Sequence, residues 1–167
     1  NSVTRGSATN DDVYFQSREA QNAHYANVAD VVADYMKKIS EHTGRNYAPF
    51  TYVGAPDAER VIIAMGSVTD TITETINTLV KRGEKVGLIK VYLYRPFSVE
   101  FLKSVLPATV KKIAVLDRTK EQGAREPLFL DVVYALRDIK GLTIVGGRYG
   151  LSSKDTNPSH INGLFEE

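Results

Sequence analysis

The 167-residue chain is 43% apolar, which is enough to enclose a core and excludes a disordered tail. Its 21 Lys and Arg against 20 Asp and Glu leave a net charge of +1 with the signs interspersed, so no basic stripe points to nucleic acid or a membrane surface. The absence of cysteine excludes disulfides, thiolate metal sites, iron–sulfur ligation and cysteine catalysis by the chain itself, and leaves reducing and oxidising compartments equally open.

No apolar run reaches the roughly 18 residues needed to span a bilayer, and the amino end carries no signal pattern. The chain begins at Asn1, without Met and in polar sequence, which predicts a piece of something longer. From Asn1 to Ala23 neither a helical nor a strand period is sustained, so this stretch reads as an irregular arm carrying Tyr14 and Phe15. Asn22 to Gly44 reads as a helix. Val28, Val31, Val32, Tyr35 and Ile39 form its apolar face, and Gly44 stands at the left-handed C-cap position. Arg45 to Pro56, with Gly, two Pro and scattered aromatics, reads as an extended connector, and a boundary placed there divides residues 1–52 from 53–167.

After the connector the pattern becomes regular. Arg60-Val-Ile-Ile-Ala-Met65 is a short apolar run read as a strand, and Thr69 to Arg82 follows as a helix despite its threonines, because Ile72, Ile76, Leu79 and Val80 share one face. Val86 to Tyr94 is a second strand, with Gly87 marking close approach of a helix. Ser98 caps a short helix that Pro107 ends. Lys112 to Asp117 is a third strand, Pro127 to Asp138 a helix with proline at its start, and Leu142 to Val145 a fourth strand. Asn157-Pro158 opens a last helix ending near Phe165. Strands that are apolar almost throughout are covered on both faces, and the helices between them supply the cover. The expectation is an α/β fold: an open, doubly wound, mostly parallel sheet of at least four strands, preceded by an irregular arm and a helix.

In such a sheet ligands gather beyond the carboxyl ends of the strands. The loops there are Gly66-Ser67-Val68-Thr69, Arg95-Pro96-Phe97, Asp117 to Glu121 and Gly146 to Gly150. Gly66, Ser67 and Thr69 open a helix, and Gly146 and Gly147 would admit a ligand close to backbone, which makes these five residues weak candidates for an anion site. Neither glycine loop has a dinucleotide or Walker spacing. The mixed charges of Asp117 to Glu121 read first as a solvated surface. Arg95, Arg118 and Arg148 are interface candidates, since a guanidinium fork suits a partner carboxylate or phosphate. His24, His42 and His160 lie in three separate segments without ligand spacing, so no metal site is assigned. Asp57 and Glu59 precede the first strand, at the end opposite the rim, and no nucleophile elbow exists. No catalytic residue is assigned.

Five blocks carry a resemblance: Arg5 to Ala20 (Arg-Gly-Ser-Ala-Thr-Asn-Asp-Asp-Val-Tyr-Phe-Gln-Ser-Arg-Glu-Ala), Tyr52 to Val61, Leu88 to Phe97 (Leu-Ile-Lys-Val-Tyr-Leu-Tyr-Arg-Pro-Phe), Val115 to Glu121 and Gly147 to Lys154. In this order they resemble pyruvate:ferredoxin (flavodoxin) oxidoreductase, with modest departures such as Ser7 and Ser17. The resemblance implies a segment running from the end of a pyrimidine-binding domain into a second domain similar to the carboxyl-terminal domain of transketolase-like enzymes. It implies that the full enzyme uses thiamine diphosphate, Mg²⁺, 4Fe-4S clusters and coenzyme A as substrate to decarboxylate pyruvate oxidatively. The partners it implies are the remaining domains of the same polypeptide, a second subunit in a homodimer, and ferredoxin or flavodoxin, in the cytoplasm or a hydrogenosome-type organelle. No family cofactor residue carries over onto this sequence, so the segment is expected to bind no cofactor, and alone to be inactive. The alternatives are a free-standing α/β module binding a phosphorylated small molecule at the glycine-rich rim, or the same domain from a sulfite reductase or another 2-oxoacid oxidoreductase.

Overall fold

The computed structural model describes residues 9–166. Three helices come first: α1 (Asp11–Glu19), α2 (Asn22–Ala26) and α3 (Val28–Thr43). A five-stranded sheet follows, with β1 (Phe50–Gly54), β2 (Arg60–Met65), β3 (Val86–Val91), β4 (Lys112–Asp117) and β5 (Thr143–Arg148) in the order β1-β3-β2-β4-β5. The helices α4 (Val68–Lys81), α5 (Val99–Val105), α6 (Pro127–Leu136) and α7 (Pro158–Glu166) cover it. The four expected strands pair in parallel, β2 with β3, β2 with β4, and β4 with β5.

The apolar runs become central strands because both of their faces are buried. Ile63, Ile89, Ile113 and Val115 pack with Leu102, Leu128 and Val132 of α5 and α6 on one face. Ile62, Leu88 and Leu116 pack with Ile72, Ile76, Ile161 and Phe165 of α4 and α7 on the other. Each such side chain contributes about 1.5–3 kcal/mol when taken fully out of water. The threonines of α4 are accommodated locally: Thr73 donates to Thr69 O at 2.6 Å and Thr75 to Thr71 O at 2.8 Å, four residues back in each case.

Five details differ from the sequence expectation. The connector Arg45 to Pro56 contains β1, which pairs antiparallel with β3, so the sheet starts at Phe50, three residues before Val53. The strand expected to reach Tyr94 stops at Val91, because the Tyr92 and Leu93 amides turn to Pro49 O at 2.9 and 3.0 Å. β5 continues past Val145 to Arg148. The arm's described part holds α1, whose first turn carries Asp11 and Asp12 at the positive end of the helix dipole; its residues 1–8 lie outside the described residues. The helix expected from Asn22 to Gly44 breaks at Asn27 into α2 and α3, and α3 buries Ala29 while Val31, Tyr35 and Ile39 stay exposed.

Candidate functional site

At the carboxyl end of β4, Asp117 is buried, and its two carboxylate oxygens accept the Leu128 and Phe129 amides at 3.0 and 3.1 Å. A strand-end carboxylate thereby satisfies two free N–H groups in the first turn of α6, across the loop 118–126. Burial raises the Asp117 carboxyl above the ordinary aspartate range, against the pull of those two amides. Beside it, the buried Glu126 carboxylate accepts from Arg148 Nη1 at 2.7 Å, and that bond holds it below the ordinary glutamate range.

The neighbouring rim groups are also tied internally. Arg118 donates from Nε to Gly150 O at 3.1 Å. Tyr149 donates to Met65 O at 3.2 Å, bridging β2 and β5 across β4. Arg95 pairs with Asp131 of α6 at 2.8 Å and lies over the Tyr94 ring, 3.9 Å from its centroid. The interface candidates Arg95, Arg118 and Arg148 therefore each hold a partner within the chain.

Of the five anion-site candidates, Gly66, Ser67 and Thr69 stand together at the start of α4, where Thr69 donates to Gly66 O at 2.8 Å. A cleft of about 330 Å³ joins Ser67 and Thr71 to Arg118, Lys154 and Asp155 there. It lies between the ends of β2 and β4, where the chain's winding direction reverses. Gly146 and Gly147 sit instead within β5. A Cβ on Gly146 would meet Phe129 at 3.1 Å, and one on Gly147 would meet Leu116 at 2.8 Å, so these glycines are there for packing room. His24, His42 and His160 lie on α2, α3 and α7. Asp57 pairs with Lys85 at 2.8 Å and Glu59 with Lys111 at 2.8 Å, both at the amino ends of the strands. Among the described residues no cluster of three or more His, Asp or Glu side chains is placed to hold a metal ion.

The other feature of the molecule is an apolar surface. Of the twelve large apolar side chains exposed among the described residues, seven lie on α1 and α2 or along α3: Val13, Tyr14, Phe15, Tyr25, Val31, Tyr35 and Ile39. Phe15 is 70% exposed and Tyr35 61%. The inner side of α3 is anchored by Ala29 and by Ser40, whose hydroxyl accepts the Tyr47 amide at 2.8 Å. The Val31–Tyr35–Ile39 stripe therefore stands on the side of a seated helix that faces solvent. Clustering of this kind marks an interaction surface. The sequence names Tyr14 and Phe15 as interface candidates and reads the α3 stripe as the apolar face of a helix without saying what that face meets. Periodicity cannot say which of two apolar faces turns inward.

Residues 58–161 match the family described as pyruvate:ferredoxin oxidoreductase core domain II. The chain belongs to this family. The chain is 56% identical to a pyruvate:ferredoxin oxidoreductase of Moorella thermoacetica over 97% of its length. It is also 56% identical to a pyruvate-flavodoxin oxidoreductase of Klebsiella pneumoniae over 98% of its length. It spans 14% of the length of either relative. These matches cover nearly the whole chain, so the sequence of α1–α3 is matched as well as that of the sheet. Among solved structures, a 2-oxoglutarate:ferredoxin oxidoreductase from Magnetococcus marinus superimposes with a TM-score of 0.51 at 22% identity, over 72% of this chain and 20% of that one. A split-gene transketolase, an inactive β4 tetramer, superimposes at 0.50 and 14% identity over 73% of this chain and 39% of that one. Both likenesses concern the fold, a mostly parallel α/β sheet of the transketolase-like kind.

Proposed function

We propose that this chain is a structural docking domain of a pyruvate:ferredoxin oxidoreductase, with α1–α3 the trailing elements of a preceding domain and the sheet from Phe50 onward a second domain of transketolase carboxyl-terminal type. The observation that carries the proposal is the exposed apolar face of α1–α3 in a chain spanning 14% of its relatives' length. Seven large apolar side chains left in water favour a covering surface, and the rest of a longer polypeptide is the natural cover.

The residues present do not fit thiamine diphosphate and its metal. No metal-ligating cluster stands among the described residues, and the rim carboxylates Asp117 and Glu126 are already committed to α6 and Arg148. Cysteine ligands for clusters are absent from the sequence. In this reading the oxidative decarboxylation of pyruvate, with thiamine diphosphate, Mg²⁺, 4Fe-4S clusters and coenzyme A, belongs to other parts of the enzyme, as do homodimer contacts and delivery of electrons to ferredoxin or flavodoxin. The cytoplasm or a hydrogenosome-type organelle suits that chemistry. The 167-residue chain contributes shape and contact area, and by itself turns over no pyruvate.

The test is the paired substitution Phe15→Ser and Tyr35→Ser. Both side chains are exposed, so the isolated chain should keep its unfolding temperature, while the self-association that a bare apolar face predicts should weaken in sedimentation experiments. In the full-length protein the same pair should impair assembly. Normal assembly of the substituted full-length protein would overturn the proposal.

A further inference from the structure

The two edges of the sheet are built differently. β1 is bracketed in sequence by Pro49 and Pro56 and ends at Gly54 with φ of 140°, features that blunt an edge against further pairing. β5 carries no proline and no bulge, and its six residues pair without interruption with β4. Its sequence, Thr143-Ile-Val-Gly-Gly-Arg148, holds no charge before its last residue.

The hydrogen-bond directions of β5 follow from its ends. Thr143 N–H donates to Lys111 O at 2.9 Å and Tyr149 N–H donates to Asp117 O at 3.2 Å. Alternation along the strand then turns the amides of Val145 and Gly147 toward β4 and those of Ile144, Gly146 and Arg148 toward the open edge. No described residue pairs with that edge.

Cover of the sheet is also incomplete there. On the face that carries Thr143, Val145 and Gly147, α7 packs Ile161 and Phe165 against Leu116 and Ile62 and reaches no farther toward β5. The result is a groove of about 450 Å³, mostly apolar, whose lining includes Ala114, Val145, Leu164 and Phe165 together with the cations Arg60 and Lys112. Val145 is 53% exposed in it. On the opposite face Phe129 of α6 closes over Gly146, so the edge is bare on one side only.

We infer that β5 is a docking edge for an extended segment of the remaining polypeptide of the full-length protein, which adds a sixth strand beside β5 and lays alternate apolar side chains into the groove next to Val145. This rests on the proposed place of the chain within a longer enzyme. The relatives provide about six times as much chain outside the matched part as within it, so the occupant has a source in the same molecule. An open backbone ladder beside a one-sided apolar groove is the arrangement used by strand addition, where main-chain bonds bind and alternate side chains select.

Hydrogen exchange separates the outcomes. In the isolated chain the outward amides of Ile144, Gly146 and Arg148 should exchange fast and those of Val145 and Gly147 slowly. In the full-length protein the three outward amides should slow on the order of 100-fold. Outward amides as fast in the full-length protein as in the isolated chain would overturn the inference. So would shielding of Val145 from chemical labelling without amide protection, since that means a covering helix. Slowing that depends on the concentration of the isolated chain would replace the occupant by a second copy. A second variant, Val145→Lys, should leave the isolated chain's unfolding temperature unchanged and restore fast outward exchange in the full-length protein. Retained protection there would count against a groove-filling strand. The α1–α3 substitutions above should leave β5 protection in the full-length protein intact, so failure of the edge and failure of the docking face read out separately.

Discussion

Asp117, at the end of β4, and Glu126, at the N-cap of α6, respond to pH in opposite directions. Asp117 replaces water for two amides of a helix end, so Asp117→Ala leaves both without their acceptor and should destabilise the chain by about 1–3 kcal/mol, read from urea unfolding. Asp117→Asn keeps one acceptor and should lose less. Burial raises the Asp117 carboxyl, so its contribution to stability is present below the ordinary aspartate value and is lost as pH rises through the raised value. Glu126 is held down by Arg148, so its contribution is present above the ordinary glutamate value and is lost as pH falls through the lowered one. Glu126→Gln should therefore flatten the fall in stability below the ordinary glutamate value, measured as urea midpoints at successive acid pH values. An unchanged acid-side slope would show that the ion pair contributes nothing to it.

Tyr52 of β1 lies across Gly87 of β3, and a Cβ at Gly87 would fall on its ring. The neighbour that Gly87 makes room for is thus the edge strand, not the helix that sequence alone suggests. The Tyr52 hydroxyl donates to Ala55 O, and burial pushes its pKa up to about 12. Gly87→Val should cost about 1–3 kcal/mol through overpacking. Combined with Tyr52→Ala, the double variant should cost less than the sum of the two single variants, in a thermodynamic cycle. Additive costs would place the clash elsewhere. β2, β3 and β4 were legible because burial on both faces makes a strand read as an unbroken apolar run. β1 was not, since its prolines are turn signals locally and its partner β3 lies more than thirty residues away. The glycines of β5 read as loop residues because glycine is a poor strand former, and only Phe129 and Leu116 filling the space above them makes the strand work. α1 buries no side chain, so no apolar period exists to reveal it. Of the candidate site, Tyr14 and Phe15 were legible as aromatics without a place in the pattern. The α3 stripe was legible as an apolar helix face, but not by its period alone as an exposed one, because a face docked on another surface has the same period as one docked on the chain's own core.

Across the whole molecule, the sheet has its own two-sided core, while α1–α3 are held through Ala29 and the Ser40 to Tyr47 bond. Deleting residues 1–44 should therefore leave the sheet folded with a single cooperative thermal transition, and in the full-length protein should abolish assembly. A broad, non-cooperative transition would make the helices part of the core. The docking account depends above all on the exposed aromatic face being covered in the complete enzyme. Hydroxyl-radical footprinting of the isolated chain and of the full-length protein reads that directly at Tyr14, Phe15, Tyr25 and Tyr35, which are all exposed here. The account predicts strong oxidation of all four in the isolated chain and their protection in the full-length protein, while the exposed Tyr134 on α6 serves as a reference in both. Equal oxidation of the four rings in the two proteins would contradict it.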